Sequence, residues 1–288
     1  MTHTEIILRS RDGEPLRCDI RYRPTGKAKP VVLFVHGFKG FKDWGPFPYV
    51  RERLAEAGFV AVGFNFSHNG VGEDLHTFSE LDRFARNTFT RDLHEIEDIL
   101  EIVSAKDELP IEACEIDSNR IILFGHSRGA SEAILSGADT SDIRAVVAWA
   151  PVATFHRYSE RQKQIWREQG YFEIENARTG QIMRLNVSLL DDIEQHAERL
   201  DIPAHATHLG ELGKPLLVIA GSEDLTAPVK ESQEIAAAYG PSVKLTIIER
   251  TGHTFGAEQP YRGSTLQLEQ AIDETIAFMQ HSLGIMAA

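Results

Sequence analysis

The stretch "ILFGHSRGAS", Ile122 to Ser131, places a serine between two glycines, with a β-branched and aromatic run before it and small helix-compatible residues after it. A strand, a sharp turn and a helix are the context in which a G-x-S-x-G pattern becomes a nucleophile elbow. At such an elbow Ser127 takes a strained backbone conformation that lifts its hydroxyl above the end of the sheet, and Gly125 and Gly129 let strand and helix close on each other.

Outward from the elbow the same rhythm repeats. "VVLFVH" (31–36), "VAVGFNF" (60–66), "RIILFG" (120–125), "AVVAWAP" (145–151), "PLLVIAG" (215–221) and "VKLTIIE" (243–249) read as buried, mostly parallel strands. Between them, residues 48–58, 89–105, 229–240 and 265–283 carry apolar residues at three- and four-residue spacing, the period of a helix packed on one side. The alternation predicts an α/β class with a mostly parallel sheet flanked by helices. Ahead of it, residues 4–10 and 16–24 flank "RDGEP", whose Asp-Gly predicts an antiparallel hairpin.

The rhythm breaks between Pro151 and Pro215, where roughly sixty residues lack a buried-strand signature, too many for an ordinary connection. The expected organisation is a core of residues 1–152 and 214–288 with a cap, 153–213, inserted after the sixth core strand. Within the cap, 157–170 reads as a helix, 171–186 as a hairpin turning at Arg178-Thr179-Gly180, 188–200 as a helix, and the stretch holding His205 and His208 as a loop.

A serine hydroxyl is a weak nucleophile at neutral pH, so it needs a general base, and the base needs an acid that fixes its tautomer. The chain order expected for this elbow is Ser, then Asp, then His. Asp224 in "AGSEDLTAP" follows one predicted strand and His253 in "ERTGHTFG" follows the next. Glu223 is the rival acid, less favoured by its spacing from the strand. Two N–H donors must also face the developing oxyanion: Arg128, directly after the nucleophile, and Phe38, in the loop "HGFKGFKDWG" after the 31–36 strand, supply them. The His36 ring is expected to prop that loop.

Composition narrows the partners. With 30 Lys and Arg against 43 Asp and Glu the formal net charge is −13, which repels nucleic-acid phosphates and anionic lipid surfaces, so no nucleic-acid partner is expected. No window holds the roughly 18 uninterrupted apolar residues of a membrane span, and the N-terminus lacks the basic and apolar pattern of a secretory leader. Cytoplasmic localisation and no membrane partner are the expectation. Cys18 and Cys114 are read as reduced and inert. No H-E-x-x-H or clustered Cys/His spacing is present, so neither a metal nor a cofactor is expected. A homo-oligomer is compatible with the sequence.

On these residues the chain resembles the α/β-hydrolase fold superfamily over nearly its whole length, with Gly125 to Gly129 as elbow, Asp224 and His253 as partners and His36-Gly37-Phe38 as oxyanion loop. The HGF loop, the G-H-S-x-G elbow and the cap are similar to those of bacterial carboxylesterases of the cinnamoyl and feruloyl esterase type and of related serine peptidase-like hydrolases. The resemblance implies hydrolysis of a small-molecule carboxylic ester through an acyl-enzyme. A peptidase, amidase or thioesterase with the same triad is the alternative, and a non-catalytic binding protein on the same scaffold stands further off. Two departures touch the loops: "FNFSHNGVGED" (64–74) stands where many relatives carry Asp-x-Arg-Gly-x-Gly, and Ala130 replaces a frequent third glycine.

Phe155, Tyr158, Trp166, Tyr171 and Phe172 of the cap are the candidates for aromatic substrate walls. The Arg128 side chain, whose catalytic duty ends at its backbone N–H, is expected to pair with a nearby carboxylate, the candidates being Asp43, Glu73, Asp74 and Glu223.

Overall fold

The computed structural model describes residues 1–74, 77–106 and 109–285. In chain order the elements are β1 (Thr2–Arg9), β2 (Pro15–Tyr22), β3 (Lys29–Val35), α1 (Phe47–Glu56), β4 (Val60–Asn65), α2 (Leu81–Ala85), α3 (Phe89–Ala105), β5 (Ile116–His126), α4 (Arg128–Asp139) and β6 (Ile143–Trp149). They continue with α5 (Glu160–Gln169), β7 (Tyr171–Asn176), β8 (Gln181–Asn186), α6 (Val187–Gln195), α7 (Ile202–Glu211), β9 (Leu216–Gly221), α8 (Val229–Tyr239), β10 (Lys244–Ile248) and α9 (Leu266–Ser282).

The main sheet runs β1-β2-β4-β3-β5-β6-β9-β10. The β1–β2 and β2–β4 pairs are antiparallel, and every pair from β4 to β10 is parallel. Every residue of β3, β4 and β9 is buried, as strands covered on both faces require. Within β3 the pleat sends Val31, Leu33 and Val35 into one apolar layer and Val32 and Phe34 into the other. Each such buried side chain contributes about 1.5–3 kcal/mol.

The close approach anticipated at the elbow is severe. A Cβ on Gly125 would lie 2.1 Å from the Gly129 carbonyl oxygen, and one on Gly129 would lie 2.4 Å from the Val35 carbonyl oxygen. No side chain fits either position, so the two glycines fix how tightly α4 descends from β5 across β3.

Between β6 and β9 the chain forms α5, the two-stranded β7–β8 sheet, α6 and α7. Ser159 and Gln162 make a reciprocal capping box at the start of α5. Asp192 of α6 accepts the Phe89 and Thr90 amides at 2.9 and 3.1 Å, tying this segment to the first turn of α3. Residues 201–213 are not the loop the sequence reading expected. Asp201 caps α7 through the Ala204 amide at 3.0 Å, and the helix packs on α4 and α8, so His205 and His208 lie on a helix. The cysteines are unpaired, Cys18 buried in β2 and Cys114 exposed. No helix among the described residues is long and apolar enough to cross a membrane.

Candidate active site

Ser127 sits between β5 and α4 at φ 58°, ψ −126°, outside the regions a non-glycine residue ordinarily occupies. The conformation is held from both sides: the Ser127 N–H donates to the Trp149 carbonyl at 2.8 Å, and the Ser127 carbonyl accepts from the Ala130 amide at 2.9 Å. Local strain of this kind persists only where surrounding structure over-determines it, and it gathers at functional sites. Ser127 heads α4, whose first backbone N–H groups have no partner within the helix.

Asp224 lies in the turn after β9 and His253 in the turn after β10, so both reach the end of the sheet from which Ser127 projects. His253 Nδ1 donates to Asp224 Oδ2 at 2.7 Å. Asp224 Oδ1 accepts the Thr226 and Ala227 amides at 2.8 and 2.9 Å. Burial works to raise the Asp224 pKa, but the His253 hydrogen bond and those two amides hold it below the ordinary value. Glu223, the rival acid, is exposed, whereas Asp224 is buried. Ser127 Oγ makes no hydrogen bond among the described residues, but Ser127 and His253 line one cavity.

Two further histidines, His126 and His36, fix the frame around Ser127 and His253. His126 is buried, and burial together with the neighbouring His253 pushes its pKa down to about 3, so the ring is neutral. Its Nε2 lies 2.9 Å from the His253 carbonyl oxygen and therefore carries the proton it donates. His36 is also held down to about 3, chiefly by burial. Its Nε2 accepts the Phe66 amide at 3.3 Å, which leaves the proton on Nδ1 to be donated to the Gly37 carbonyl at 3.0 Å. His36 thus props the 36–40 loop as the sequence suggested, whereas His126 in the elbow went unread. That loop abuts Ser127 so closely that a Cβ on Gly37 would fall 2.9 Å from Ser127 Cβ. Beneath it, Asn65 Oδ1 accepts the Lys42 amide at 2.7 Å, and the buried Arg51 pairs with Asp19 at 2.8 Å and Asp43 at 3.1 Å.

The Arg128 guanidinium is buried and pairs with Asp92 at 3.1 Å and Glu132 at 3.1 Å, in place of Asp43, Glu73, Asp74 or Glu223. Asp92 arrives because α3 packs beside α4, and Glu132 because it lies one helical turn along. Three aromatic rings enclose the cation, with Phe38, Phe66 and Phe89 each centred 5.6 Å from it. Burial raises the pKa of both carboxylates, and that of Glu132 well above the ordinary range. One cation beside two buried acids favours one ionised carboxylate, Asp92, and a protonated Glu132.

Two cavities meet at Ser127. One, of about 130 Å³, is walled by Phe38, Phe89, Val152, Phe155, Tyr158 and Leu189. The other, of about 210 Å³, includes His253, Trp44, Lys39 and Arg178. Phe155 and Tyr158 thus line the first of these cavities. Trp166 is fully buried against Tyr158 and Phe172 at 4.9 and 5.6 Å and serves as packing, and neither Tyr171 nor Phe172 lines either cavity. Phe89 and Leu189 went unread because they reach the site from α3 and α6, far apart in the chain. Among the described residues no group of three or more His, Cys, Asp or Glu is placed to hold a metal ion.

Similarity to known proteins agrees with this geometry. "Putative esterase/lipase 2" of Mycoplasma pneumoniae is 23% identical over 263 residues, covering 85% of this chain and 90% of that protein. Alpha/beta hydrolase GrgF from Penicillium sp. sh18 superposes with a TM-score of 0.71 at 16% identity, over 99% of this chain and all of that one. Est1E from Butyrivibrio proteoclasticus, solved also with ferulic acid bound, gives 0.67 at 19% identity over 97% and 99% of the two chains. Residues 32–263 match the model that describes the alpha/beta hydrolase family, and the chain belongs to that family.

Proposed function

We propose that this hydrolase is a serine carboxylesterase that cleaves small-molecule esters through an acyl-enzyme. The observation that carries the reading is the strained Ser127 at the head of α4, sharing a cavity with a His253 already oriented by Asp224 at 2.7 Å. With Nδ1 committed to Asp224, His253 keeps Nε2 as the nitrogen that takes the Ser127 proton. Ser127 Oγ attacks the ester carbonyl, and the Phe38 and Arg128 amides receive the oxyanion. Removing one such donor costs about 3 kcal/mol of transition-state stabilisation in known cases. As the tetrahedral intermediate collapses, His253 returns its proton to the departing alcohol. Water then attacks the acyl-Ser127 ester with His253 again as base, and the carboxylic acid is released.

The apolar cavity of about 130 Å³ is the acyl side, since it holds Ser127 and Arg128 but not the proton-donating His253. The segment 153–213 acts as a cap, supplying Phe155, Tyr158 and Leu189 to that cavity. Support for an ester over other acyl substrates comes from the esterase names of relatives and neighbours and from an apolar acyl wall. The direct test is hydrolysis of p-nitrophenyl acetate: the parent turns it over and Ser127→Ala does not. Wild-type turnover by Ser127→Ala would refute the reading, and amide hydrolysis outpacing ester hydrolysis on matched substrates would move it to an amidase.

A further inference from the structure

The cations around Ser127 divide into two kinds. On the acyl side Arg128 is neutralised by Asp92, with Glu132 beside it, and Arg157 by Glu231 at 2.7 Å. In the cavity that holds His253, Lys39 and Arg178 make no ion pair with a carboxylate among the described residues. Lys39 Nζ donates to the backbone carbonyl of Glu175 at 3.1 Å. The Arg178 guanidinium lies 5.9 Å from the Trp44 ring centre and 6.0 Å from that of Phe78. Its own turn holds it there, because the Arg178 amide donates to Asn176 Oδ1 at 3.2 Å.

Burial, and then the charge of Arg178, lower the Lys39 pKa, with Glu175 opposing; burial lowers that of Arg178. Lys39 is half-buried and Arg178 solvent-exposed, and among the described residues neither has a carboxylate within ion-pair distance, so both can meet an anion that enters the cavity. They also stand against the mean field of a chain whose formal charge is −13. The remaining walls of the cavity do not neutralise them: Trp44, Phe47, Asn176 and Thr254 are uncharged, and so is His126.

We propose that the His253-side cavity is a subsite for a carboxylate carried on the alcohol portion of the ester, with Arg178 and Lys39 as its specificity-determining residues. This rests on the serine-esterase reading, because the alcohol must leave on the side of the group that protonates it, and His253 lines this cavity and not the other. A guanidinium offers a carboxylate two parallel N–H donors and an ammonium adds a third, and both Arg178 and Lys39 line this cavity. The β7–β8 turn therefore delivers selectivity to a site whose chemistry lies on the main sheet.

The test compares kcat/KM for (4-acetoxyphenyl)acetate and (4-acetoxyphenyl)acetamide, which share an acyl group and a phenol leaving group and differ in one charge. The parent is expected to favour the anionic ester by about tenfold at low ionic strength, the worth of one charge-assisted hydrogen bond, and less so in high salt. Arg178→Met and Lys39→Met are each expected to lower that ratio severalfold. Because the ratio is taken within each variant, a general loss of folding or turnover cancels. A parent that hydrolyses the amide-bearing ester with a ratio at or below one overturns the subsite and leaves the esterase reading standing. A parent that cleaves neither ester and whose Ser127 takes no fluorophosphonate overturns both.

Discussion

His253 Nδ1 donates to Asp224 Oδ2 at 2.7 Å while the other oxygen of Asp224 is held by the Thr226 and Ala227 amides. The carboxylate is thus fixed by its own turn before it orients the imidazole. Asp224→Asn keeps the shape but presents an N–H where the Nδ1 proton points, so the ring is driven to the wrong tautomer. The expected result is a fall in kcat of about 10⁴-fold, the size seen for this substitution in a serine protease triad, with the melting temperature nearly unchanged. Steady-state kinetics beside a thermal melt separates this from simple unfolding.

Arg128 and Glu132, 3.1 Å apart, make contrasting predictions for stability. Arg128→Met leaves Asp92 and Glu132 buried without their cation, which is expected to destabilise by about 3–5 kcal/mol. Glu132 already carries a proton beside Asp92, so Glu132→Gln replaces one neutral group with another and is expected to shift stability by less than about 1 kcal/mol. Urea unfolding of both variants checks the pair. A large loss in Glu132→Gln would mean that Glu132 and not Asp92 is the ionised partner.

Glu95 adds a pH dependence. It accepts the Ser67 amide at 2.8 Å, and burial, then the neighbouring Asp92 charge, push its pKa up to about 7. A carboxyl whose pKa is higher folded than unfolded binds more protons in the folded state. Its stabilisation is therefore complete below the unfolded value and is lost as pH rises towards 7. From an unfolded value near 4.3 the loss is at most about 4 kcal/mol. Glu95→Gln, neutral at every pH, should unfold like the parent at pH 4.5 and be the more stable of the two at pH 8. Equal pH slopes for parent and variant would refute the assignment.

The acyl cavity predicts a length limit. Phe89 and Phe155 stack at 4.1 Å across one wall and Leu189 closes it, leaving about 130 Å³. p-Nitrophenyl acetate and butyrate are expected to be cleaved at least about tenfold faster, by kcat/KM, than the dodecanoate, since overpacking such a pocket costs about 1–3 kcal/mol. Leu189→Ala should raise the longer esters relative to acetate. An unchanged chain-length profile in that variant would place the acyl group elsewhere.

The parallel strands were legible because burial on both faces writes continuous apolar runs, and the elbow because two glycines and a serine must fall between such a run and a helix. The Asp224 and His253 positions followed from their places after β9 and β10. What depends on packing between distant elements was not. Asp92 meets Arg128 only because α3 lies beside α4, and Phe89, Leu189 and Arg178 reach the site from three separate elements. Two misses were avoidable. Glu132 stands four residues after Arg128 on one helix, and α7 carries an Asp201 cap, Pro203 in its first turn and apolar residues at 202, 206 and 209.

Every step above turns on one activated serine. Incubation of the full chain with a fluorophosphonate, followed by intact-mass and peptide analysis, tests that claim most directly, because stable phosphonylation needs an activated nucleophile and an oxyanion site together. One adduct per chain is expected, on the peptide containing Ser127, abolished in Ser127→Ala and strongly slowed in His253→Ala. No adduct, or an adduct on another residue that survives Ser127→Ala, would contradict it.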